Sequence, residues 1–314
     1  MFCDFYFKVG FGLQPGQTDV VNFTTIPNTQ TSFTVNVPLK QGYRYFASVK
    51  CTNNVGLKSV SVSDGVLYDE TEPRNIFVRD GDYQSKTLTI DVSAKFVDPE
   101  SGIGFLSVFV KSLTQLSEVQ GPFYFAGNVT ALHVQLSRPL QNGAKYVLNV
   151  TATNGVGQSL SAISDGFSVD TTAPVCLYVR DGNSPLLKDL KYISQTSQLS
   201  VSWNCYDNES PILRYRFTVK NKKSNETALP LHSLKGSLNS SGSALLTGNG
   251  KWTPNYQAGN SYVVGIELTN AVKLTVLYWT DGVTVDNTPP SFKDVKLAFD
   301  PVRDALSAQW KVKT

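Results

Sequence analysis

The sequence predicts an all-β protein built from tandem two-sheet sandwiches, and three observations carry that prediction. Apolar residues fall in short period-two runs broken by Gly, Asn, Asp and Pro, with no apolar stripe at helical spacing over three turns. The chain also repeats itself. Residues 45–81 align without a gap on residues 146–182, and 16 of those 37 positions are identical. Finally, 314 residues with 41% apolar content suit two to four domains, each able to bury a core of its own.

The elements follow in order within each copy. A turn opens the shared block at Leu39-Lys-Gln-Gly42, Leu140-Gln-Asn-Gly143 and Tyr256-Gln-Ala-Gly259. The strand after it shows one apolar face: Tyr45, Ala47, Val49, Cys51, then Tyr146, Leu148, Val150, Ala152, then Tyr262, Val264, Ile266, Leu268. The positions between are largely polar, so one face packs on a core and the other meets water. Turns come next at Asn53-Asn-Val-Gly56, Asn154-Gly-Val-Gly157 and Asn270-Ala-Val-Lys273, using residues that tolerate a left-handed backbone. A last strand carries Ser63-Asp-Gly65, Ser164-Asp-Gly166 or Thr280-Asp-Gly282, where glycine suggests a bulge.

Each copy closes on Asp69-Glu-Thr-Glu-Pro73, Asp170-Thr-Thr-Ala-Pro174 or Asp286-Asn-Thr-Pro-Pro290, where proline marks a boundary. The next unit opens with a short strand and a turn, Val78-Arg-Asp-Gly81 or Val179-Arg-Asp-Gly182. A second strand follows, then an acidic loop at Asp98-Pro-Glu-Ser-Gly-Ile103 or Asp207-Asn-Glu-Ser-Pro-Ile212, then a third alternating strand. About seven strands per 100 residues in this order describe a sandwich.

These residues resemble fibronectin type III domains. Trp203, repeated at Trp310, resembles that family's core tryptophan, and the six-residue spacing of Leu39 to Tyr45 and Leu140 to Tyr146 resembles its tyrosine corner. The D-x-E-S loop and the S-D-G…D-x-T-x-P ending look like a subtype found in large animal extracellular proteins. The likeness covers nearly the whole chain; one departure is Ala94, which stands at the tryptophan position of the second unit. It implies tandem immunoglobulin-like sandwiches with a partial domain at each end, on an extracellular or cell-surface protein. Fold alone does not assign activity.

Four segments are expected: residues 1–72, a partial domain holding strands C to G; 73–173, complete; 174–288, complete with longer loops; and 289–314, strands A and B of another partial domain. Phe2, Phe5 and Val9 align with Ile212, Tyr215 and Val219, and the chain stops one residue short of the next acidic loop. This reads as an internal piece of a longer protein. Its end segments are expected to behave poorly in solution, while residues 74–288 fold.

Candidate sites are few. Asp98 and Glu100 are expected to lie near Asp69, and Asp207 and Glu209 near Asp170, so these carboxylates could hold a structural Ca²⁺ at a domain junction. The plainer reading is preferred: Asp and Ser cap turns and Glu faces water. In the fold that the resemblance implies, Cys3 and Cys51 fall on neighbouring strands, as do Cys176 and Cys205. Each pair suits a disulfide in an oxidising compartment, or else two small core residues. Sequons at Asn22, Asn128, Asn149, Asn225 and Asn239 are candidate glycosylation sites, with Asn149 on the outward face of its strand; Asn208 is a poor acceptor because Pro211 follows Ser210. The serine- and glycine-rich residues 235–250 read as a mobile hairpin or loop.

Other classes fit poorly. The +3 net charge is spread without a basic run, which argues against nucleic acid, and no stretch of 18 apolar residues is present for a membrane span. The first eight residues alternate like a strand and do not resemble a signal peptide. His133 and His232 stand in no recognisable constellation, and no phosphate loop, nucleophile elbow or metal-binding Cys/His spacing occurs. Arg79-Asp80-Gly81 and Arg180-Asp181-Gly182 are hairpin turns and not integrin tripeptides. The expected function is non-catalytic: a spacer and interaction or adhesion array meeting other proteins or matrix components through loops and sheet edges, with no cofactor. The alternative is an accessory module of a larger enzyme.

Overall fold

The computed structural model describes residues 5–113, 118–183, 188–194, 196–233, 239–246 and 255–313. Among them every regular element is a strand. The chain divides into two compact units at Val169/Asp170.

The first unit begins with β1 (Phe5–Gly12), β2 (Val21–Ile26), β3 (Arg44–Asn53), β4 (Lys58–Val62) and β5 (Val66–Leu67). They form a sheet in the order β2-β1-β3-β4, with β5 on the end of β3. Its central ladder sets Phe7 opposite Cys51, Val9 opposite Val49 and Phe11 opposite Ala47. That register corrects the sequence alignment by two residues, because Phe217, and not Val219, is the residue opposite Ile266 in the equivalent strand pair. Alternation alone allows a two-residue slip, since the buried face stays the same.

Nine further strands complete the unit: β6 (Arg74–Arg79), β7 (Tyr83–Gln84), β8 (Thr89–Val97), β9 (Ile103–Ser112), β10 (Glu118–Ala126), β11 (Ala131–Gln135), β12 (Lys145–Asn154), β13 (Ser159–Ile163) and β14 (Phe167–Val169). They make two sheets, β11-β8-β6 and β10-β9-β12-β14-β7, the second carrying β13 on β12. Alternate residues of β8 (Ile90, Val92, Ala94, Phe96) meet alternate residues of β9 and β12 in one core. The opening strand changes sheets: β6 pairs with β8, and after the turn at Gly81 β7 runs parallel to β14. The sequence reading did not anticipate this switch.

The second unit repeats the plan with β15 (Val175–Asp181), β16 (Tyr192–Ile193), β17 (Leu199–Tyr206), β18 (Ile212–Asn221), β19 (Thr227–Ser233), β20 (Ser241–Leu246), β21 (Ser261–Asn270), β22 (Thr275–Trp279) and β23 (Val283–Val285). Its sheets are β15-β17-β20 and β16-β23-β21-β18-β19, with β22 on β21. Trp203 is 1% exposed and packs against Tyr215 and Phe217 at ring-centroid distances of 5.9 and 5.4 Å. Gly242 lies directly across the ladder from it, and a Cβ there would meet Trp203 Cζ2 at 3.0 Å. The stretch read as a mobile hairpin or loop at 235–250 contains β20, whose residues 241–246 pair fully with β17; residues 234–238 and 247–250 lie outside the described residues. A hairpin of β24 (Ser291–Asp300) and β25 (Ala305–Lys313) follows.

The tandem sandwiches share two further locks. Tyr45, Tyr146 and Tyr262 each accept, at the hydroxyl, the backbone N–H five residues upstream, at 2.7, 3.1 and 3.0 Å. Ser63, Ser164 and Thr280 each accept from the N–H of the preceding strand, on Ala47, Leu148 and Val264. These hydroxyls satisfy donors that a bulge would otherwise strand. No helix among the described residues is long and apolar enough to cross a membrane.

Candidate functional site: asparagine-centred linker locks

The strongest polar constellation occurs twice, once in each unit. In the first, Asp69 closes one repeat, Asp98 begins the acidic loop after β8, and Asn154 ends β12. The Asn154 amide group donates to Asp69 Oδ2 at 3.2 Å, to Asp98 Oδ2 at 3.0 Å and to the Thr71 carbonyl at 3.0 Å. In the second, Asn270 donates to Asp170 Oδ2 at 2.8 Å, to Asp207 Oδ2 at 3.1 Å and to the Thr172 carbonyl at 3.0 Å. Both asparagines are at least 96% buried, so the donors are shielded from water.

The turn after each strand decides which way the amide points. Asn154 Oδ1 accepts the N–H groups of Val156 and Gln158, and Asn270 Oδ1 accepts that of Leu274. A flipped amide would orphan those donors, so the NH₂ end faces the acids. Asp69 Oδ1 takes the Thr71 N–H and hydroxyl and the Gln41 amide, while Asp98 Oδ1 takes the N–H groups of Glu100 and Ser101. Burial pushes the Asp69 pKa up, but hydrogen bonds from Ser101, Thr71 and Gln41 outweigh it and hold the carboxyl at about 2. Ser210 adds a 2.5 Å hydroxyl bond to Asp170 Oδ2.

The fold thus gathers the expected acids into two groups, Asp69–Asp98–Glu100 and Asp170–Asp207–Glu209, with one oxygen of each residue within 4.8 Å of the others. Such a set could hold a divalent cation. The place between the two aspartates of each group is where the asparagine amide donates, which neutral hydrogen bonding alone can satisfy. Sequence reading named the acids and missed their hub. The available signal was Asn53, Asn154 and Asn270 standing at one repeat position, which was assigned to turn geometry alone.

A third acidic group was not anticipated: Asp181, Asp189 and Asp281. Lys191 ion-pairs with Asp281 and Asp189 and so supplies counter-charge. Asp181 lies at the sheet switch, 2% exposed, and accepts the Gly282 N–H. Burial pushes its pKa up to about 7, over the opposing bonds from Thr280 and Gly282, with Asp189 and Asp281 adding to the rise. Asp80 holds the same place in the first unit, and its pKa is raised chiefly by burial.

Cys176 and Cys205 form a cross-strand pair between β15 and β17 and are joined by a disulfide. Cys51 is a free thiol opposite Phe7; Cys3 lies outside the described residues. Of the sequons, Asn22, Asn128, Asn225 and Asn239 are exposed. Asn149 is different. It sits mid-strand between Phe109 and Ile163, half-buried, with Oδ1 shielded and unpartnered, so an outward face does not make it an open acceptor. His133 does have an acidic neighbour: its Nδ1 lies 2.6 Å from Asp91 across the β8–β11 ladder, on an exposed face with Lys86. His232 Nδ1 lies 3.0 Å from the Pro230 carbonyl oxygen.

No family model and no curated protein matches the chain. Solved structures similar to it include the FN1–FN3 domains of chicken CNTN1, at 14% identity over 88% of each chain and a TM-score of 0.32. Two others are the N-terminal Ig1-2 module of the Drosophila receptor protein tyrosine phosphatase DLAR and DIP-gamma IG1+IG2. The first has 14% identity, covers 69% of this chain and 100% of that one, and has a TM-score of 0.22. The second has 12% identity, covers 69% and 98%, and has a TM-score of 0.30.

Proposed function

We propose that this chain is a non-catalytic segment of a modular extracellular or cell-surface protein, whose sandwiches space and present loops and sheet edges to other proteins or matrix components. The observation that carries this reading is the repeated linker lock. Each Asp-x-Thr linker is held by buried hydrogen bonds to the loops of the sandwich that follows it, an investment in ordering linkers rather than in building a cleft. The Cys176–Cys205 disulfide fits an oxidising compartment, and four exposed sequons fit a secreted glycoprotein.

Expression of the chain behind a secretory leader in animal cells tests this. The expected result is secreted protein with Cys176 and Cys205 linked in a non-reducing peptide map. Glycan mass is expected at one or more of Asn22, Asn128, Asn225 and Asn239, with none at Asn149. Retention of two free thiols on Cys176 and Cys205 after secretion would count against the extracellular assignment.

A further inference from the structure

Strand β18 carries its charge on one face. Tyr215, Phe217 and Val219 point into the second core, so Arg214, Arg216 and Lys220 stand on the outer face, and Lys222 follows just past the strand end. Lys222 keeps to that face: its Nζ donates to the Asp281 carbonyl at 2.6 Å, beside Gly282 and Val263. Arg214 and Lys222 are eight positions apart, about 27 Å at the rise of a strand. The break in the file is Thr218, whose hydroxyl donates to the Leu229 carbonyl at 2.7 Å.

Neighbouring side chains hold this row in place. Arg216 Nε donates to Glu267 Oε1 at 2.7 Å, and the carboxylate is 14% exposed against 32% for the arginine, so the cation covers the acid. Arg214 donates to the Thr269 hydroxyl at 3.2 Å. Lys220 Nζ lies 5.3 Å from the centroid of the Trp279 ring, and the indole sits so close on Gly265 that a Cβ there would meet it at 2.9 Å. Asp281, the acid at the Lys222 end, is ion-paired with Lys191. The fold does not require such a row. In the first unit the matching positions of β9 and the residue after it are Phe105, Ser107, Lys111 and Leu113, with Asn149 in place of Gly265 and Ile163 in place of Trp279. One cation stands there where the second unit has four. Like charges along one face repel, so the row adds no stability of its own and suits a bound polyanion.

We propose that this outer face binds a linear sulfated polysaccharide, whose sulfates track Arg214, Arg216, Lys220 and Lys222. A single file of cations matches one extended polyanionic chain, whereas a lipid surface would meet a broad patch. A single nucleic-acid strand is held largely by bases stacked on aromatic faces, and here the Trp279 ring is already engaged by Lys220 and Gly265. The proposal rests on the extracellular reading for the presence of such a polymer, and on the charge row alone for its binding.

Titration of the purified chain with heparin, and with desulfated heparin as control, tests this at several salt concentrations. Heparin should bind at physiological ionic strength and weaken steadily as salt rises, as counterion release requires, while the desulfated chain should not bind. The Arg214→Gln/Lys220→Gln/Lys222→Gln variant should bind roughly tenfold more weakly or worse, with a shallower salt dependence and unchanged melting. A control that removes as much charge from the first unit, Lys58→Gln/Lys95→Gln/Lys111→Gln, should bind like the wild type. In the unmutated chain, bound heparin should shield Lys220 and Lys222 from amine acetylation and leave the exposed Lys58 and Lys95 reactive, a readout that holds even if the first triple variant unfolds. Three results would overturn the idea: no heparin binding at physiological salt, equal loss in the two triple variants (attraction by net charge alone), or binding of duplex DNA or anionic vesicles as tight as that of heparin. Failure of the chain to be secreted would count against the extracellular reading and leave these outcomes untouched.

Discussion

Asn154 and Asn270 show how one side chain can organise a linker. Each amide nitrogen offers two hydrogens to three acceptors, and two of those belong to aspartates that would otherwise repel one another. Replacing either by alanine leaves buried carboxylate oxygens short of a donor, and that usually costs about 1–3 kcal/mol. N154A and N270A should each lower the melting temperature and speed amide exchange at Thr71 or Thr172, respectively. Since the amide already supplies the donors, melting in chelator and in excess Ca²⁺ should coincide for the wild-type chain. A Ca²⁺-dependent rise of several degrees would instead assign the acids to a cation. Asp181 makes a separate prediction. Its folded pKa of about 7 lies above the unfolded value near 3.9, so the native state holds a proton that the unfolded chain releases. Stability should therefore fall as pH rises from about 4 to 7 and then level off. D181N removes that loss: it should stabilise the chain at neutral pH, and its advantage should vanish near pH 4. None of this could be read from residue types, because burial and partner geometry are properties of the folded chain.

At the scale of strands, the alternating pattern was enough to place β12 and β21, whose inner faces are the ones named from sequence; in β3 the buried residues are Ser48 and Thr52, on the face opposite the one named. Three things escaped it. The β6-to-β7 switch rests on two-residue strands too short to show periodicity. β20 hides in a serine-rich stretch whose inner face includes Gly242, a residue chosen by contact with Trp203 rather than by propensity. The two-residue slip in β1 left the buried face unchanged, so nothing in hydrophobicity could reveal it. For the cysteines, strand adjacency left a disulfide or two small core residues open, and the structure joins Cys176 to Cys205. The bridge closes a loop with a sequence separation of 29 between two neighbours in one sheet. On the loop-entropy view such a bridge contributes about 2–4 kcal/mol, mostly by restricting the unfolded chain. The Cys176→Ser/Cys205→Ser double variant should therefore melt earlier and unfold in less denaturant. Chemical denaturation with and without reductant should reproduce that difference in the wild type and show none in the variant.

For the whole molecule, the governing fact is that the two buried cores share no residue: one runs from Ile90 to Val169 and the other from Leu199 to Val285. Cooperative unfolding follows cores, because losing part of one exposes the rest of it but leaves a separate core intact. Calorimetry should thus resolve two transitions rather than one. Trp203 tells them apart, being the largest fully buried side chain of the second core, while its counterpart in the first is Ala94. Trp203→Ala opens a cavity between Tyr215, Phe217 and Gly242 and should cost about 3–5 kcal/mol. That loss should move one transition down by many degrees and leave the other in place. Reduction of Cys176–Cys205 should act on the same transition as Trp203→Ala, since both lie on β17 and its partner β15. If the two perturbations moved different transitions, or if a single transition carried both, the sandwiches would have to be energetically joined. In that case the linker locks would be doing more than ordering the chain between cores: they would be coupling them.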